Sequence, residues 1–307
     1  MTEKQGDKVL PQPQKDEPST LGLVSEWLGL SSPRTKDTSN KPLFGVDGKG
    51  IKSDAVVQGD INNCFFMAPL SSLAQADPQV IRESIKQNGD GSYTVTFAGA
   101  RDKPQLVQPL TLEEQRKFAQ TGPGGVWPAV MEKAFGQYLK NNPEERERIL
   151  GHSAGWFLDS AQEYADSGKA TEVLKLLTGY MPGGIKLKDS HNVDGVQRLL
   201  QDNFKDGKAL PVVAGIAAGN ESALSKGLHP EHDYSVLGYA DGIVAVRDPR
   251  GRTELNISGK RMESKEGVFK MTVQDFAKAF DEVLVGRNKP VLGGNGALIM
   301  KPLKLKP

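Results

Sequence analysis

The chain contains a single cysteine, Cys64, in 307 residues. One cysteine excludes an intramolecular disulfide framework and a zinc site built from several cysteines. Positive and negative charges nearly cancel, with 39 Lys and Arg against 38 Asp and Glu, so a nucleic-acid partner is not expected. The sequence also lacks an apolar run of membrane-spanning length, and its polar start lacks the apolar core of a cleaved signal peptide. We therefore expect a soluble, cytoplasmic protein, with export by a specialised system left open.

The lone cysteine lies where a thiol can act as a nucleophile. A turn-rich run at 59–63 precedes Cys64, and an apolar segment compatible with a helix follows it. The positive end of a helix dipole favours thiolate over thiol. Gln58, six residues upstream, can fold back and offer an amide N–H near the sulfur, as in an oxyanion site. On this segment alone the alternative, a small buried hydrophobic residue, stays open.

Composition divides the chain into three parts. Residues 1–43 are polar and predicted to be mostly disordered, except for a short apolar helix at 21–30 that docks on the body of the protein or contacts a partner. Residues 44–180 carry mainly helical signals, whereas residues 181–307 carry mainly strand signals. One late helix is predicted over 273–283. The pattern predicts an α+β fold with a helical half that holds the cysteine and a β-rich half.

The chain has four histidines that are candidates for the general base of the cysteine. His232 begins an alternating run that continues through a Gly-containing turn to Asp248, which predicts a β-hairpin. A two-residue turn would put His232 and Asp248 on opposite faces, whereas a three-residue loop with Gly242 at positive φ puts them on one face. We therefore predict the three-residue loop, with Asp248 orienting the imidazole of His232. The other three histidines are predicted to be structural or superficial: His152, His191 and His229.

Six segments follow one another in a recognisable order over about residues 44–283. They are Gln58-Gly59 with Cys64-Phe65, Trp127 with Glu132-Lys133-Ala134-Phe135, Leu177-Thr178-Gly179, His232-Asp233-Tyr234-Ser235-Val236, Asp248-Pro249-Arg250-Gly251, and Phe269-Lys270-Met271 with Asp275-Phe276. This order resembles the calpain family of cysteine peptidases, which have a papain-like two-lobed fold. The resemblance implies that Cys64 is the nucleophile, His232 the base and Gln58 the oxyanion donor.

The chain departs from the family pattern at several positions. Asp248 stands where the family has an orienting Asn, and Arg250 stands where it has a Trp. Pro69 falls inside the predicted helix after Cys64, and because an interior proline costs about 3 kcal/mol, we expect a kink or a late start. Animal members carry an acidic residue three positions before the Gln, where this chain has Ala55. We therefore expect catalysis without a cofactor and without calcium.

The resulting prediction is an endopeptidase that hydrolyses peptide bonds of protein or peptide substrates through a Cys64 thioester. Two alternatives stay open: a calpain-like fold kept as a non-catalytic interaction module, and acyl transfer or deamidation by the same triad. A third is disfavoured. The segment 151–155 fits the Gly-x-Ser-x-Gly elbow of serine hydrolases around Ser153, but a charged helical segment precedes it instead of the buried strand that this motif requires.

Overall fold

The computed structural model describes residues 41–120, 122–151, 168–187, 192–207, 209–257 and 260–288. Its helices in chain order are α1 (Cys64–Ala76), α2 (Pro78–Ser84), α3 (Leu112–Lys117), α4 (Trp127–Asn141), α5 (Pro143–Leu150), α6 (Ala170–Thr178), α7 (Val193–Phe204), α8 (Glu221–Ser225) and α9 (Val273–Ala279). The strands are β1 (Ile85–Gln87), β2 (Tyr93–Val95), β3 (Gln105–Val107), β4 (Gly183–Lys186), β5 (Val212–Ile216), β6 (His232–Ala240), β7 (Ile243–Arg247), β8 (Glu254–Ile257), β9 (Lys260–Glu263), β10 (Val268–Thr272) and β11 (Glu282–Val285). The helix predicted at 21–30, the Ser153 motif, His152 and His191 lie outside the described residues.

The strands pair in antiparallel fashion. The main sheet has six strands in the order β10-β7-β6-β5-β11-β4, and two smaller sheets have the orders β1-β2-β3 and β8-β9. Helices precede and cover this sheet, so the predicted α+β class is confirmed.

Buried apolar side chains form two main clusters. One draws its members from residues 51–177 and the other from residues 187–285. A small third cluster joins Ala68 of α1 and two residues of α6 to Val213 of β5 and Leu284 of β11. Helix α1 therefore lies between the helical core and the main sheet. The boundary between residues 180 and 181 stays a prediction.

Helix α1 begins at Cys64 and runs through Pro69, so of the two expected outcomes, a kink or a late start, the late start is wrong. Every residue from Cys64 to Ala74 is buried. Burying one large apolar side chain stabilises a fold by about 1.5–3 kcal/mol. Several such side chains in α1 together exceed the roughly 3 kcal/mol that an interior proline costs. Packing has overridden the local preference.

The hairpin of β6 and β7 closes with two residues, because Ala240 pairs with Ile243. Asp241 and Gly242 have φ values of 49° and 75°, and a type I′ turn requires both to be positive. The predicted three-residue loop is therefore wrong.

A β-bulge nevertheless brings the hairpin to the predicted register. The pairing shifts between Val236 and Gly238, which places one extra residue in β6. Beyond the bulge Ser235 pairs with Arg247, and continuing that register by one residue sets Asp248 opposite Tyr234. The bulge, and not the loop, therefore brings His232 and Asp248 to the same face of the hairpin.

The late helix is shorter than predicted. Helix α9 begins where expected, because the Thr272 hydroxyl accepts a hydrogen bond of 3.1 Å from the Asp275 backbone N–H. It ends at Ala279, and Glu282–Val285 forms β11 between β5 and β4. A short apolar run fits a buried strand as well as a helix end, so periodicity could not separate them.

Candidate active site

A cavity of about 680 Å³ lies at the start of α1, and both Cys64 and His232 line it. Cys64 is the first residue of α1, and His232 is the first residue of β6. The cavity therefore brings together the only thiol of the chain and a histidine that lies 168 positions further along. Asp248 and Gln58 are outside the lining of this cavity.

The His232 ring is paired with Asp248. Its Nε2 lies 3.0 Å from Oδ1 of Asp248, and both residues are buried, at 2% and 0% exposure. Since a carboxylate only accepts hydrogen bonds, we assign the ring proton to Nε2. Nδ1 is then the basic nitrogen, and it is buried without a hydrogen-bond partner among the described residues. The ring thus has the tautomer and orientation that a general base requires.

Two further groups hold the Asp248 carboxylate. The Arg250 backbone N–H donates to Oδ1 at 2.9 Å, and the Thr253 hydroxyl donates to Oδ2 at 2.6 Å. Burial opposes ionisation of Asp248, but the hydrogen bonds from His232, Thr253 and Arg250 outweigh it, so the pKa of Asp248 lies below its ordinary value. The carboxylate is therefore a fixed anion behind the imidazole.

Cys64 has the opposite electrostatic environment. Burial raises the pKa of its thiol to about 12, and the negative charge of Asp233 adds to this shift. Hydrogen bonds from the backbone N–H groups of Asp233 and Phe65 and the charge of Arg250 lower the pKa, but by less. The helix terminus favours the thiolate, but desolvation by burial acts against it and is the larger effect on the pKa of the thiol. The resting thiol is neutral.

Direct hydrogen bonds hold the helix of the cysteine against the strand of the histidine. The Ser235 hydroxyl, three residues after His232, donates to the Ala68 carbonyl, four residues after Cys64, at 2.8 Å. The Ser72 hydroxyl accepts from the Val212 backbone N–H of β5 at 2.6 Å. Small residues on this face of α1 let the helix approach the sheet closely. The positions of Cys64 and His232 relative to each other are therefore fixed by two buried contacts.

Gln58 lies close to the loop that follows Asp248. Its backbone N–H donates to the Pro249 carbonyl at 2.8 Å, and its side-chain Nε2 donates to the Ile61 carbonyl at 2.7 Å. An amide nitrogen carries two N–H groups, so one remains for another acceptor. Gln58 is only 6% exposed, and its Oε1 is buried without a partner among the described residues. Gln58 is thus held in place beside the turn before Cys64, outside the lining of the cavity.

The segment before Cys64 is held by a residue of α4. The Asn63 side-chain amide donates to Oε1 of Glu132 at 2.7 Å, and the Ala119 backbone N–H donates to Oε2 at 2.5 Å. Burial raises the pKa of Glu132 to about 8, against the effect of these two hydrogen bonds. Glu132 therefore ties the turn before the cysteine to α4 and to the loop at Ala119.

Two comparisons with known proteins bear on this geometry. The family model described as calpain family cysteine protease matches residues 17–144. The calpain-type cysteine protease DEK1 of Arabidopsis thaliana is 26% identical over 313 aligned positions, which cover 89% of this chain and 13% of that protein. The chain is calpain-like. It spans about an eighth of the length of this relative, and the family match includes Gln58 and Cys64 but ends before His232 and Asp248.

The calpain-like chain has an α+β fold with a Cys-bearing helical half and a β-rich half that bears His232 and Asp248, as the resemblance implied. Three residues of this site make contacts that the sequence motifs do not predict. Thr253 holds Asp248, Glu132 holds Asn63, and Asp233 stands beside the sulfur. Of these three, only Asp233 could have been predicted from the sequence, because it directly follows the predicted base and is therefore expected near the cysteine.

Two general properties complete the description. Within the described ranges no helix is long and apolar enough to cross a membrane. Across that same part of the chain, no group of three or more His, Cys, Asp or Glu side chains is arranged to hold a metal ion.

Proposed function

We propose that this calpain-like protein is a cysteine endopeptidase that hydrolyses peptide bonds through a thioester on Cys64. One observation carries the proposal. His232 lines the same cavity as the only thiol, its Nε2 is held by the buried Asp248 carboxylate, and its Nδ1 has no partner among the described residues. A buried nitrogen without a partner costs stability, typically about 1–3 kcal/mol, which is common where a group is kept ready for a substrate.

The neutral resting thiol determines the first step. Because the pKa of Cys64 is raised to about 12, the sulfur does not attack as a preformed thiolate. His232 Nδ1 instead takes the thiol proton as Sγ forms its bond to the carbonyl carbon of the scissile amide. Asp248 stabilises the imidazolium that results, as an anion paired with Nε2–H.

The remaining steps use groups that stand around the same helix start. As the first residue of α1, Cys64 has a backbone N–H with no acceptor inside the helix, and this N–H with the second N–H of Gln58 stabilises the oxyanion. The imidazolium then protonates the leaving amine, and the C–N bond breaks to leave the thioester. Water attacks the thioester while His232 takes its proton, and the proton returns to the sulfur as the acid product leaves.

The test combines turnover with the site of labelling. We expect peptide hydrolysis by the parent protein, detected by mass spectrometry of a peptide mixture, and none by Cys64→Ala, whose unfolding free energy should stay within about 1–2 kcal/mol of the parent. Ser153→Ala is the matched control and should hydrolyse at the parent rate. A peptide carrying a thiol-reactive group should label Cys64 in the parent and label it far more slowly in His232→Ala.

Each contrary result points to a different alternative. Undiminished hydrolysis by Cys64→Ala would end the proposal, and loss of activity in Ser153→Ala would point to a serine hydrolase. Labelling of Cys64 with transfer of the acyl group to an added amine, and no hydrolysis, would indicate acyl transfer. No labelling and no turnover would indicate a non-catalytic module.

A further inference from the structure

Two carboxylates on neighbouring strands lie in one row across the main sheet. Asp233 of β6 pairs with Gly215 of β5, and Gly215 pairs on its other side with Glu282 of β11. Directly paired residues of an antiparallel sheet point to the same face. Asp233, Gly215 and Glu282 all line the cavity that contains Cys64 and His232.

The two carboxylates converge over the glycine between them. A Cβ on Gly215 would lie 2.9 Å from Asp233 Oδ1 and 3.4 Å from Glu282 Oε1. Any larger residue at this position would occupy the space into which both carboxylates project. The missing side chain of Gly215 is therefore what allows two negative groups to face the same small volume.

Neither carboxylate has an ion-pair or hydrogen-bond partner among the described residues. Burial raises the pKa of Asp233 to about 7, and the charge of Glu282 adds to this shift. Burial also raises the pKa of Glu282, and Lys186, its cross-strand neighbour on β4, offsets this only in part. Lys186 offsets part of the effect on Glu282, and no cation in the described part of the chain offsets the effect on Asp233, so two acidic groups that repel each other form a site that a further cation would stabilise.

The other acidic residues of the cavity do not share this arrangement. Asp281 Oδ2 accepts hydrogen bonds from the Ala217 backbone N–H at 2.7 Å and the Asn220 side chain at 3.1 Å, so it has a structural role. Glu231 is exposed. Asp233 and Glu282 are therefore the pair without an assigned role.

Asp233 and Glu282 line the same cavity as the reacting groups of Cys64 and His232. Asp233 directly follows His232, and its charge raises the pKa of the Cys64 thiol. His232 lines this same cavity and is only 2% exposed. Its Nδ1 has no partner among the described residues, so the cavity is a place where a ligand would bind. Because Gly215 lines the same cavity as Cys64 and His232, the space over it is open to a side chain of a peptide held for attack by Cys64.

We propose that Asp233 and Glu282 form a subsite that binds the cationic side chain of an Arg or Lys within two positions of the scissile bond. This inference rests on the proposed function and names its substrate class. A guanidinium has five N–H donors in a planar fork, so it can donate to carboxylates from both strands at once. The absence of a third acidic, His or Cys ligand in the described part of the chain makes an organic cation a better fit than a metal ion.

The test compares arginine with citrulline, its neutral analogue of the same shape, at each of the two positions on either side of the scissile bond. We expect kcat/KM to be about tenfold or more higher for arginine at one of these positions, the effect of a charge-assisted hydrogen bond. The ratio should fall towards one in Asp233→Asn and, independently, in Glu282→Gln. Glu231→Gln removes a charge from the same cavity and should keep the parent ratio.

A second measurement separates this inference from the proposed function. Fluorescence anisotropy of labelled arginine and citrulline peptides on Cys64→Ala reports binding without turnover, and the same preference for arginine is expected there. Equal turnover and equal binding of both peptides at every position would overturn the subsite while leaving the peptidase proposal intact. Preferential binding of arginine without any turnover by the parent would retain the subsite and overturn the peptidase proposal.

Discussion

The helical half and the β-rich half hold their two reactive groups in opposite ways. Cys64 starts a helix whose next ten residues are buried, and this burial raises the pKa of its thiol to about 12. His232 is held by a buried carboxylate whose pKa is lowered by the hydrogen bonds it accepts. The helical half thus fixes the position of the sulfur and keeps the thiol neutral. The β-rich half supplies the negative charge of Asp248 that holds the imidazole.

This difference determines where the chemistry is controlled. A neutral thiol needs a base at the moment of attack, so the hydrogen bonds around His232 and Asp248 should limit the rate more than the helix dipole at Cys64. Variants that disturb the β-rich half should therefore act through proton transfer. Variants that disturb the helical half should act through the stabilisation of the oxyanion or through the pKa of the thiol.

Among variants that keep Cys64 and His232, the largest effect is expected from Asp248→Ala, which should lower kcat/KM by about 10²–10⁴-fold, because nothing then fixes the tautomer of His232. Raising the pH should not restore its activity. Asp248→Asn should retain substantial activity for a reason visible in the structure. If Oδ1 still accepts from His232 and Arg250, the new amide can donate to the Thr253 hydroxyl, which can itself donate to the Arg252 carbonyl, 2.7 Å away.

Steady-state rates of both Asp248 variants on one peptide measure this difference, and circular dichroism controls for folding. Thr253→Val combined with Asp248→Asn removes the acceptor for the new amide and should be slower than Asp248→Asn alone. An Asp248→Ala protein as fast as the parent would show that the carboxylate does not orient the base.

A smaller loss is expected in the helical half from Gln58→Ala. Removing one oxyanion donor typically lowers turnover by about 10²–10³-fold. Alkylation of Cys64 by iodoacetamide forms no oxyanion, so its rate should stay within about twofold of the parent. An equal loss of turnover and alkylation would show instead that Gln58 serves the structure, through its hydrogen bonds to Ile61 and Pro249.

The two halves also differ in what the sequence could predict. The order of motifs located Cys64 and His232, which line one cavity, and predicted the α+β class. The hairpin reached the predicted register by a bulge between Val236 and Gly238 and not by the turn, because a bulge leaves little local signal. The sequence predicts Glu282 in a helix, whereas it lies in β11, because its apolar neighbours fit either type of element.

Contacts between distant segments and effects of burial were beyond sequence reasoning. Asn63 and Glu132 are 69 positions apart and meet only in the folded chain. The pKa of Cys64 was expected to fall because the helix terminus is visible in the sequence, whereas the burial that raises it depends on the packing of both halves. The catalytic roles of Cys64, His232, Asp248 and Gln58 stay predictions.

A still smaller effect should appear where the halves meet, in the pH dependence of Cys64 alkylation. The negative charge of Asp233 raises the pKa of the thiol, and Asp233 itself has a pKa of about 7. Asp233→Asn should therefore alkylate about two- to tenfold faster than the parent above pH 7, a shift of less than about one pKa unit. Below about pH 6 the parent carboxyl is protonated, and the two rates should converge. Rates that differ equally at every pH would mean that the substitution acts through structure.

The smallest effect is expected from removing calcium, which should leave activity unchanged. The turn before Cys64 is already held by protein groups, through the hydrogen bond from Asn63 to Glu132 and that from the Gln58 backbone to Pro249. The buried Arg247 guanidinium joins the two halves, because it donates to the Ser71 hydroxyl at 3.2 Å and to the Asp54 carbonyl at 3.4 Å. A fixed protein cation at Asp54, beside Ala55, makes binding of a second cation there unfavourable.

The calcium measurement compares peptide hydrolysis in excess chelator with hydrolysis in millimolar calcium, after dialysis of the protein against chelator. Equal rates are expected, and so are equal melting temperatures, because a bound ion would stabilise the folded state. Magnesium at the same concentration controls for ionic strength. Activity that disappears in chelator and returns with calcium alone would show that the two halves need an ion to assemble the site, and that Arg247 does not replace it.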